Sequence, residues 1–368
     1  MTTTTTTPPS DVTADEFAER LFGAALGTME ILSVHLGDRL GWYRALAEGG
    51  PASPEELVAR AGGNLRYARE WLEQQAVYGI LEAADGSGEG GADERRFTLP
   101  PGAREVLTDT SSLGYLGPLA RMLVGSAVQM PALLAAYRHG GGVSWAQLGE
   151  DARESQADMN RPWFERELAR ALQGVDTVDA VLRRPGARIA DIGCGAGWSS
   201  IALSRAYPQA SVDGHDVDAP SVSLANTNAA AAGVASRVTF STGDGGGLAA
   251  EASYDAAFFF ECLHDMPQPV AVLAAARLAV KPDGLVIVMD EAVAERFAAP
   301  GDDLERLMYG FSLLVCLPDG MAHQPTAATG TVMRLDTLRD YARQAGFSDV
   351  SVLDIRDFGF WRFYRLHQ

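Results

Sequence analysis

Residues 187–197 read ARIADIGCGAG, and the segment 198–208, WSSIALSRAYP, follows them; this stretch decides the fold. Its apolar start has the length and the bounds of a buried strand. Gly193, Gly195 and Gly197 then come at alternate positions, where the chain turns sharply and lets a ligand approach bare backbone. The next segment has apolar residues at helical spacing. A strand, a glycine turn and a helix N-terminus in this order predict a nucleotide-type pocket, because free N–H groups and the helix dipole point into it.

The glycine spacing distinguishes this pocket from a dinucleotide site. Dinucleotide sites use G-x-G-x-x-G, whereas here Asp191 is followed by G-x-G-x-G. This difference disfavours a nicotinamide-dependent oxidoreductase. A glycine-rich turn alone is weak evidence, so the ends of the other strands must supply the test.

The chain from residue 187 onwards alternates strands with helices, which predicts a parallel α/β sheet covered on both faces. The expected strands are 187–192, 210–215, 237–240, 254–260 and 284–289, and the expected helices include 220–232, 269–280 and 335–345. An insertion at 291–331 is partly helical by its pattern. Two terminal strands, within VSVLDIR and FGFWRFYRL, are expected to pair antiparallel at the sheet edge.

Polar residues follow three of these strands, at the edge where ligands bind in doubly wound sheets. Asp216 lies 19 residues beyond Gly197, where a carboxylate accepts hydrogen bonds from both ribose hydroxyls. Asp244 follows the third strand, in reach of an adenine amino group. The fourth strand is followed by three polar residues at the mouth of the predicted pocket, Glu261, His264 and Asp265. The alternative for the first two acids is a role as helix caps or turn formers.

The N-terminal part has the pattern of a helical unit with a hairpin. Helices are predicted at 14–36, 53–61 and 65–78, the second with Ser53 and Glu56 as a capping box. A hairpin with an acidic loop at 85–94 follows, so the layout is that of a winged helix-turn-helix. DNA binding is one interpretation, but residues 1–110 hold nine arginines, no lysine and 18 acidic residues. Dimerisation is therefore favoured over DNA binding.

Bulk composition excludes several classes of protein. The chain of 368 residues has 48 acidic and 30 basic residues and a net charge of −18, which argues against a nucleic-acid partner. The chain has no run of about 18 apolar residues, so no membrane span is predicted. Its N-terminus lacks the pattern of a secretory signal. The three cysteines, without C-x-x-C spacing, indicate buried thiols in a reducing cytoplasm, with no metal site.

Four segments are expected from these patterns. They are a disordered tail at 1–13, a winged-helix-like unit at 14–110, a helical linker with pocket helices at 111–175, and the α/β domain at 176–368. The sequences HGGG and PWF are expected to break the helices of the linker, whose last helix is predicted at 161–173.

Five motifs together resemble the class I S-adenosylmethionine-dependent methyltransferases, of an actinobacterial type with a winged-helix-like N-terminal domain. They are DIGCGAGWSSIALSRAYP, VDGHDVDAPSVSLAN, FFECLHDMPQPVAVL, TGTVMRLDTLRDYARQAGF and FWRFYRL. More distantly, the chain is similar to the O-methyltransferases of natural-product pathways, which dimerise through such a domain. The resemblance implies a Rossmann-like sheet, S-adenosylmethionine in the glycine pocket and a small acceptor held between two domains.

The resemblance also assigns residues to roles. The family's base, a histidine directly followed by an aspartate, matches His264 and Asp265, with Glu261 as a second candidate base; Met266 stands where those enzymes have tryptophan. The residues expected to hold the cofactor are Asp191, Gly193, Gly195, Gly197, Asp216, Val217, Gly243, Asp244 and Glu261. The residues expected to wall the acceptor pocket are Trp163, Phe164, Tyr309 and Phe311.

The function expected from these residues is methyl transfer to a small hydrophobic or aromatic acceptor by a cytoplasmic homodimer, with O-methylation favoured over N- or C-methylation. One alternative for His264 is a cap on the helix that begins near Pro267. The alternative for the whole chain is a winged-helix transcriptional regulator that binds the cofactor without catalysis.

Overall fold

The computed structural model describes residues 12–84, 95–248 and 252–368. By its internal contacts the chain forms two compact units. The first comprises the described residues up to 124 together with 154–159, and the second comprises the described residues of 125–153 and 160–368. The segment bounds at 110 and 175 stay predictions.

The N-terminal part contains helices and one short hairpin. Its elements are α1 (Ala14–Arg39), α2 (Trp42–Gly49), α3 (Pro54–Ala61), α4 (Leu65–Val77), the antiparallel strands β1 (Glu82–Ala83) and β2 (Phe97–Thr98), and α5 (Pro101–Thr108). The predicted capping box of α3 is present: the Ser53 hydroxyl accepts from the Glu56 N–H, and the Glu56 carboxylate accepts from the Ser53 N–H at 2.9 Å. The acidic loop predicted at 85–94 lies outside the described residues.

Helices also make up the middle of the chain, as the sequence predicted. They are α6 (Gly117–Val128), α7 (Met130–His139), α8 (Trp145–Trp163), α9 (Ala169–Gln173) and α10 (Asp176–Leu182). Gly140, at φ 80°, ends α7 within the predicted HGGG break. Among the described residues no single helix has the length and apolar composition to span a membrane. Helices α6 and α7 have that length and composition only when taken together, and a bend of 57° separates them.

The prediction that PWF at 162–164 breaks a helix is wrong. The chain passes from α8 through the π-helical turn Phe164–Leu168 directly into α9. Proline removes one backbone hydrogen bond and crowds the preceding turn. Here the helix continues by widening to i→i+5 spacing just after Pro162, a change that is frequent at functional sites.

The C-terminal part is built on a seven-stranded, mostly parallel sheet of the Rossmann-like α/β class. Its strands are β3 (Arg188–Ile192), β4 (Ser211–Asp216), β5 (Val238–Thr242), β6 (Tyr254–Phe260), β7 (Val280–Glu291), β8 (Asp349–Val352) and β9 (Trp361–His367), in the order β5-β4-β3-β6-β7-β9-β8. The predicted antiparallel pairing of the two terminal strands at one edge is confirmed. The helices that connect them are α11 (Trp198–Ala206), α12 (Ala219–Ala231), α13 (Pro269–Ala279), α14 (Asp303–Phe311), α15 (Leu317–Met321) and α16 (Leu335–Gln344).

Strand β6 lies in the middle of the sheet and is buried along its whole length. Phe258 and Phe260 face one hydrophobic core, and Ala257 and Phe259 face the other. A parallel strand buried on both faces reads as a continuous apolar run, which is why this strand was predictable residue by residue. Its carboxyl end therefore presents Glu261 and the following residues from a rigid support.

Candidate active site

Three glycines turn the chain between β3 and α11. Gly193, Gly195 and Gly197 have φ angles of 73°, 50° and 80°, a region that glycine adopts without strain. A Cβ on Gly193 would come within 2.7 Å of the Cys262 side chain, and one on Gly197 within 2.6 Å of the Phe240 ring. A Cβ on Gly195 would meet nothing within 4 Å. Packing therefore demands the outer two glycines, while the middle one faces open space.

Asp191, the acid before this turn, is fully buried. Its Oδ2 accepts hydrogen bonds from the hydroxyls of Ser199 (2.6 Å) and Ser200 (2.5 Å) in the first turn of α11. Its Oδ1 has no hydrogen-bond partner in the described part of the chain. Burial raises the pKa of Asp191 to about 6, although the two serine hydroxyls oppose that rise. Asp191 thus anchors the glycine turn and offers one spare acceptor oxygen.

Asp216, at the end of β4, joins the second strand to the glycine turn. Its Oδ2 accepts from the Gly195 N–H at 2.8 Å, and its Oδ1 accepts from the Asp218 N–H at 2.9 Å. Burial raises the pKa of Asp216 above its ordinary value. Asp218 in turn caps α12 by accepting from the Ser221 N–H. The structure therefore brings together the glycine turn and the second strand end, as the sequence predicted.

The residues after β4 and β5 complete the same edge. Val217 is 68% exposed, and the Gly243 N–H donates to the main-chain oxygen of Asp216 at 2.9 Å. Asp244 is exposed, and its Oδ1 accepts from the Gly246 N–H at 3.1 Å. Asp244 thus forms a turn, which was the alternative weighed from the sequence, and its contact with adenine stays a prediction.

His264 lies beyond the end of β6 and is 2% exposed. Its Nδ1 is 2.9 Å from Asp290 Oδ1 and 3.4 Å from Glu291 Oε2, both at the end of the adjacent strand β7. Its Nε2 lies 3.2 Å from Asp265 Oδ1. That contact lacks hydrogen-bond geometry, since within the described ranges this oxygen of Asp265 has no hydrogen-bond partner. His264 is therefore bonded to Asp290 through Nδ1, while its ring also lies beside the Asp265 carboxyl and the Cys316 thiol.

Charges around His264 decide its protonation. Burial by itself lowers the pKa of the imidazole, but the carboxyl groups of Asp265, Asp290 and Glu291 outweigh burial and raise that pKa well above its ordinary value. Burial also opposes ionisation of Asp290, yet the His264 charge holds the Asp290 pKa below normal. Burial and the neighbouring Asp290 raise the pKa of Glu291. The cluster thus holds an imidazolium–carboxylate pair beside a neutral Glu291.

The alternative role of His264 as a helix cap is wrong. Helix α13 begins at Pro269, its N-cap is Gln268, and no side chain caps it. Asp290 and Glu291 were not predicted from the sequence, since the predicted site comprised the ends of the second, third and fourth strands. The sequence MDEA at 289–292 held the signal, two acids at the end of the fifth parallel strand.

Glu261 follows β6 directly and is partly buried. Its Oε2 accepts a hydrogen bond from Asn160 Nδ2 at 2.6 Å. Burial raises the pKa of Glu261, while Asn160, the His264 charge and the Trp361 indole oppose the rise. Asn160 and Trp361 were not predicted, since they come from elements far away in sequence.

Trp163 and Phe164, two of the four predicted pocket walls, differ in environment. Trp163 is partly buried, with ring centroids 5.6 Å from Phe358 and 5.7 Å from Trp361. Phe164 is 7% exposed in the core, 5.5 Å from the Phe260 ring. The structure thus places Trp163 at the edge of an aromatic cluster and Phe164 inside the core.

The other two, Tyr309 and Phe311, lie on α14. Tyr309 is 39% exposed, and its hydroxyl accepts from Arg334 at 3.4 Å. Phe311 is partly buried at the end of the helix, where the π-helical turn Ser312–Cys316 begins. All three cysteines are free thiols, as expected, and burial raises the pKa of each.

Sequence comparisons identify the α/β region. Residues 189–284 match a family model described as a methyltransferase domain. The chain spans only 25% and 59% of the length of two curated relatives that it matches. The second of them is the 27-O-demethylrifamycin SV methyltransferase of Amycolatopsis mediterranei, 28% identical over 176 residues, which make up 48% of this chain.

Solved structures share the fold over nearly the whole chain. The mitomycin 7-O-methyltransferase MmcR has a TM-score of 0.72 at 20% identity, covering 96% of this chain and 99% of that one. Human N-acetylserotonin methyltransferase, solved in complex with SAM, has a TM-score of 0.69 at 18% identity, covering 98% and 99%. The fold of these methyltransferases is therefore the fold of this chain.

Proposed function

We propose that this chain, which carries a class I S-adenosylmethionine-dependent methyltransferase domain, transfers a methyl group to a hydroxyl of a small acceptor, with His264 as the general base. The observation that supports this most is the buried contact of 2.9 Å between His264 and Asp290 at the carboxyl ends of β6 and β7. A histidine held this way beside a nucleotide-type turn is equipped for proton removal and is no part of a DNA-binding surface.

The residues at the glycine turn fit the cofactor. The open space at Gly195, the unpartnered oxygen of Asp191 and the two carboxylate oxygens of Asp216 offer room, an acceptor for an ammonium and a bidentate acceptor for ribose hydroxyls. We assign cofactor contacts to these three and to Gly193, Gly197, Val217, Gly243 and Asp244. S-adenosylmethionine supplies a methyl group that its sulfonium charge has already activated.

The protein's part in the reaction is then proton removal and alignment. Because the carboxyl groups around it raise the pKa of His264, the imidazole acts as the base once it has released its Nε2 proton. In that neutral form the Nδ1–H donates to Asp290, which fixes the tautomer, and the Nε2 lone pair accepts the proton of the acceptor hydroxyl. The imidazolium that forms is stabilised by Asp290 and Asp265. Such a base contributes roughly 10²–10⁴-fold to the rate, and alignment with exclusion of water contributes the remainder.

The acceptor is expected to be a small aromatic or hydrophobic molecule. Two similar proteins have names that point to methylation of 27-O-demethylrifamycin SV and of mitomycin at its 7-oxygen. In this chain the partly buried Trp163, whose ring is tilted against Phe358 and edge-on to Trp361, supplies an aromatic wall in the same unit as His264.

We also propose that the N-terminal part forms a homodimer. Helix α1 carries a row of apolar side chains that its own unit leaves exposed, including Leu21 at 64%, Phe22 at 66% and Met29 at 60%. Exposed apolar patches of this kind mark protein–protein contacts. A second copy of the same helix would cover them.

The test of the reaction follows a radiolabelled methyl group from S-adenosylmethionine to phenol, catechol and naphthol. We expect O-methylated products from the wild type, a turnover about two to four orders of magnitude lower for His264→Ala, and unchanged cofactor affinity. His367→Ala is the matched control, because that histidine bonds Ser351 on the edge strand β8. A His264→Ala protein that keeps more than about a third of wild-type turnover would contradict the base assignment.

A further inference from the structure

Glu261 has a backbone conformation that glycine would adopt more easily. Its φ is 53°, and among the described residues Ala328 is the other non-glycine residue with positive φ. A long side chain in this region is strained, and such strain clusters at active sites and ligand clamps. A glutamate kept at this position at the end of β6 calls for a functional reason.

The Glu261 side chain is held by residues from two distant elements. Asn160 Nδ2 donates to Oε2 at 2.6 Å, which fixes the carboxyl plane. The Trp361 indole N–H acts on the Glu261 carboxyl and favours its charged form. Yet Trp361 is 6% exposed, and its Nε1 makes no hydrogen bond of normal geometry within the described part of the chain. A buried donor that lacks a well-formed hydrogen bond, next to an acceptor that Asn160 holds in place, can bind a further polar group.

The surroundings of these groups are flat and apolar. The Trp361 ring lies 4.2 Å from Phe360 at an interplanar angle of 34°, and Trp163 meets it edge-on at 5.7 Å. His264 is close enough for its charge to lower the pKa of Glu261. A ring whose hydroxyl reaches His264 therefore has polar groups next to it and an aromatic wall beside it.

We propose that Asn160, Glu261 and Trp361 form a recognition site for a second polar group of the acceptor, adjacent on the same ring to the oxygen that is methylated. A hydroxyl there donates to the Glu261 carboxylate and accepts from the Trp361 N–H. An amino group can donate likewise, whereas a methoxy group cannot donate and a hydrogen atom does neither. The proposal rests on the proposed function, and it narrows the acceptor to rings with neighbouring donor groups.

This recognition site should select strongly for acceptor rings that carry a second donor group. An acceptor that lacks this donor loses about 10–100-fold in affinity, because the desolvated Glu261 carboxylate then accepts one hydrogen bond fewer. Gln at position 261 keeps an acceptor oxygen at the same reach, whereas Leu removes it. Trp361→Phe keeps the aromatic wall and removes the N–H.

The test measures binding without turnover, by saturation-transfer NMR of four probes in the presence of S-adenosylhomocysteine: catechol, ortho-aminophenol, guaiacol and phenol. For the wild type we expect catechol to bind at least about 10-fold more tightly than guaiacol and phenol. Glu261→Leu should abolish this preference, Glu261→Gln should keep it within about threefold, and Trp361→Phe should weaken it. Binding of ortho-aminophenol like catechol would assign the site to donors in general, and binding like phenol would assign it to hydroxyls.

Three outcomes overturn the proposal: no preference in the wild type, a preference that survives in Glu261→Leu, or no binding of any of the four rings. Melting temperature and circular dichroism show that each variant is folded. A wild type that fails to bind S-adenosylhomocysteine contradicts the proposed function itself, whereas binding of that ligand without discrimination among the rings overturns this inference alone.

Discussion

Replacing Asp290 by asparagine removes the charge opposite His264 and leaves the shape of the side chain. The two groups are 2% and 1% exposed and 2.9 Å apart, so the pair is shielded from solvent. Breaking such a buried pair costs about 3–5 kcal/mol. Glu291, 3.4 Å from the same nitrogen, can ionise in place of Asp290, which puts the expected loss near 3 kcal/mol. In a chain of this size that is roughly 4 °C of melting temperature.

The loss should depend on pH in a defined direction. The pKa of His264 is raised in the folded state, so the pair's contribution is fully present below the unfolded pKa of about 6.5 and is lost as pH rises through the folded pKa. Melting temperatures of wild type and Asp290→Asn, measured from pH 6 to pH 9, should therefore converge with rising pH. Side-chain NMR of nitrogen-labelled histidine should show His264 titrating at lower pH in the variant.

Asp255→Asn is the matched control. Asp255 is 3% exposed and lies 2.8 Å from Lys281, at the amino end of β6, away from the site. Its deficit should not change between pH 6 and pH 9, since no histidine takes part in this ion pair. An Asp290→Asn deficit that is equally independent of pH, or an unchanged titration of His264, would refute the assignment of a charged pair.

Three further predictions concern other parts of the molecule. Burial raises the pKa of Asp191 to about 6, so ionisation of this carboxyl lowers the free energy of unfolding as pH rises from about 3.8 through that value. Asp191→Asn should therefore be about 1–3 kcal/mol more stable than the wild type between pH 4.5 and pH 7.5, measured by unfolding midpoints. Equal stability would refute the burial argument. Gly197→Ala should lower the free energy of unfolding by about 2–4 kcal/mol, because the new Cβ meets the Phe240 ring. Gly233→Ala is the control: its Cβ would meet open space, so only about 1 kcal/mol should be lost. Equal losses would contradict the packing argument. Phe22→Glu should turn a dimer into a monomer by light scattering, with Glu19→Lys on the same helix as the control, and a wild-type monomer at micromolar concentration would exclude the homodimer.

Elements whose environment is uniform along their length could be predicted from the local sequence pattern alone. The run YDAAFFF predicted β6 from end to end, because a central parallel strand is apolar on both faces. The capping box of α3 was equally legible, since both of its partners lie within four residues. The helix break predicted at Pro162 was wrong, because tertiary packing can continue a helix through a π-helical turn where local rules predict its end.

The site was predictable only where its residues share a motif. The glycine turn and the His264–Asp265 pair stand in continuous stretches, but Asn160 comes from 101 residues before Glu261 and Trp361 from a strand far behind it. The position of Trp361 depends on sheet order, in which β9 pairs with β7, the neighbour of β6. No local pattern contains that order, so partners of this kind had no signal in the sequence.

The central claim is that the glycine turn and the end of β4 bind S-adenosylmethionine, with Asp216 on its ribose. Calorimetric titration of the cofactor into wild type and Asp216→Asn tests it most directly. The amide still accepts a hydrogen bond from the Gly195 or Asp218 N–H but cannot accept from two ribose hydroxyls at once. We expect one site per chain and an affinity about 10–100-fold lower in the variant, with Asp213→Asn on the same strand unchanged. A wild type that binds no cofactor, or an Asp216→Asn protein that binds it as tightly, would contradict the account.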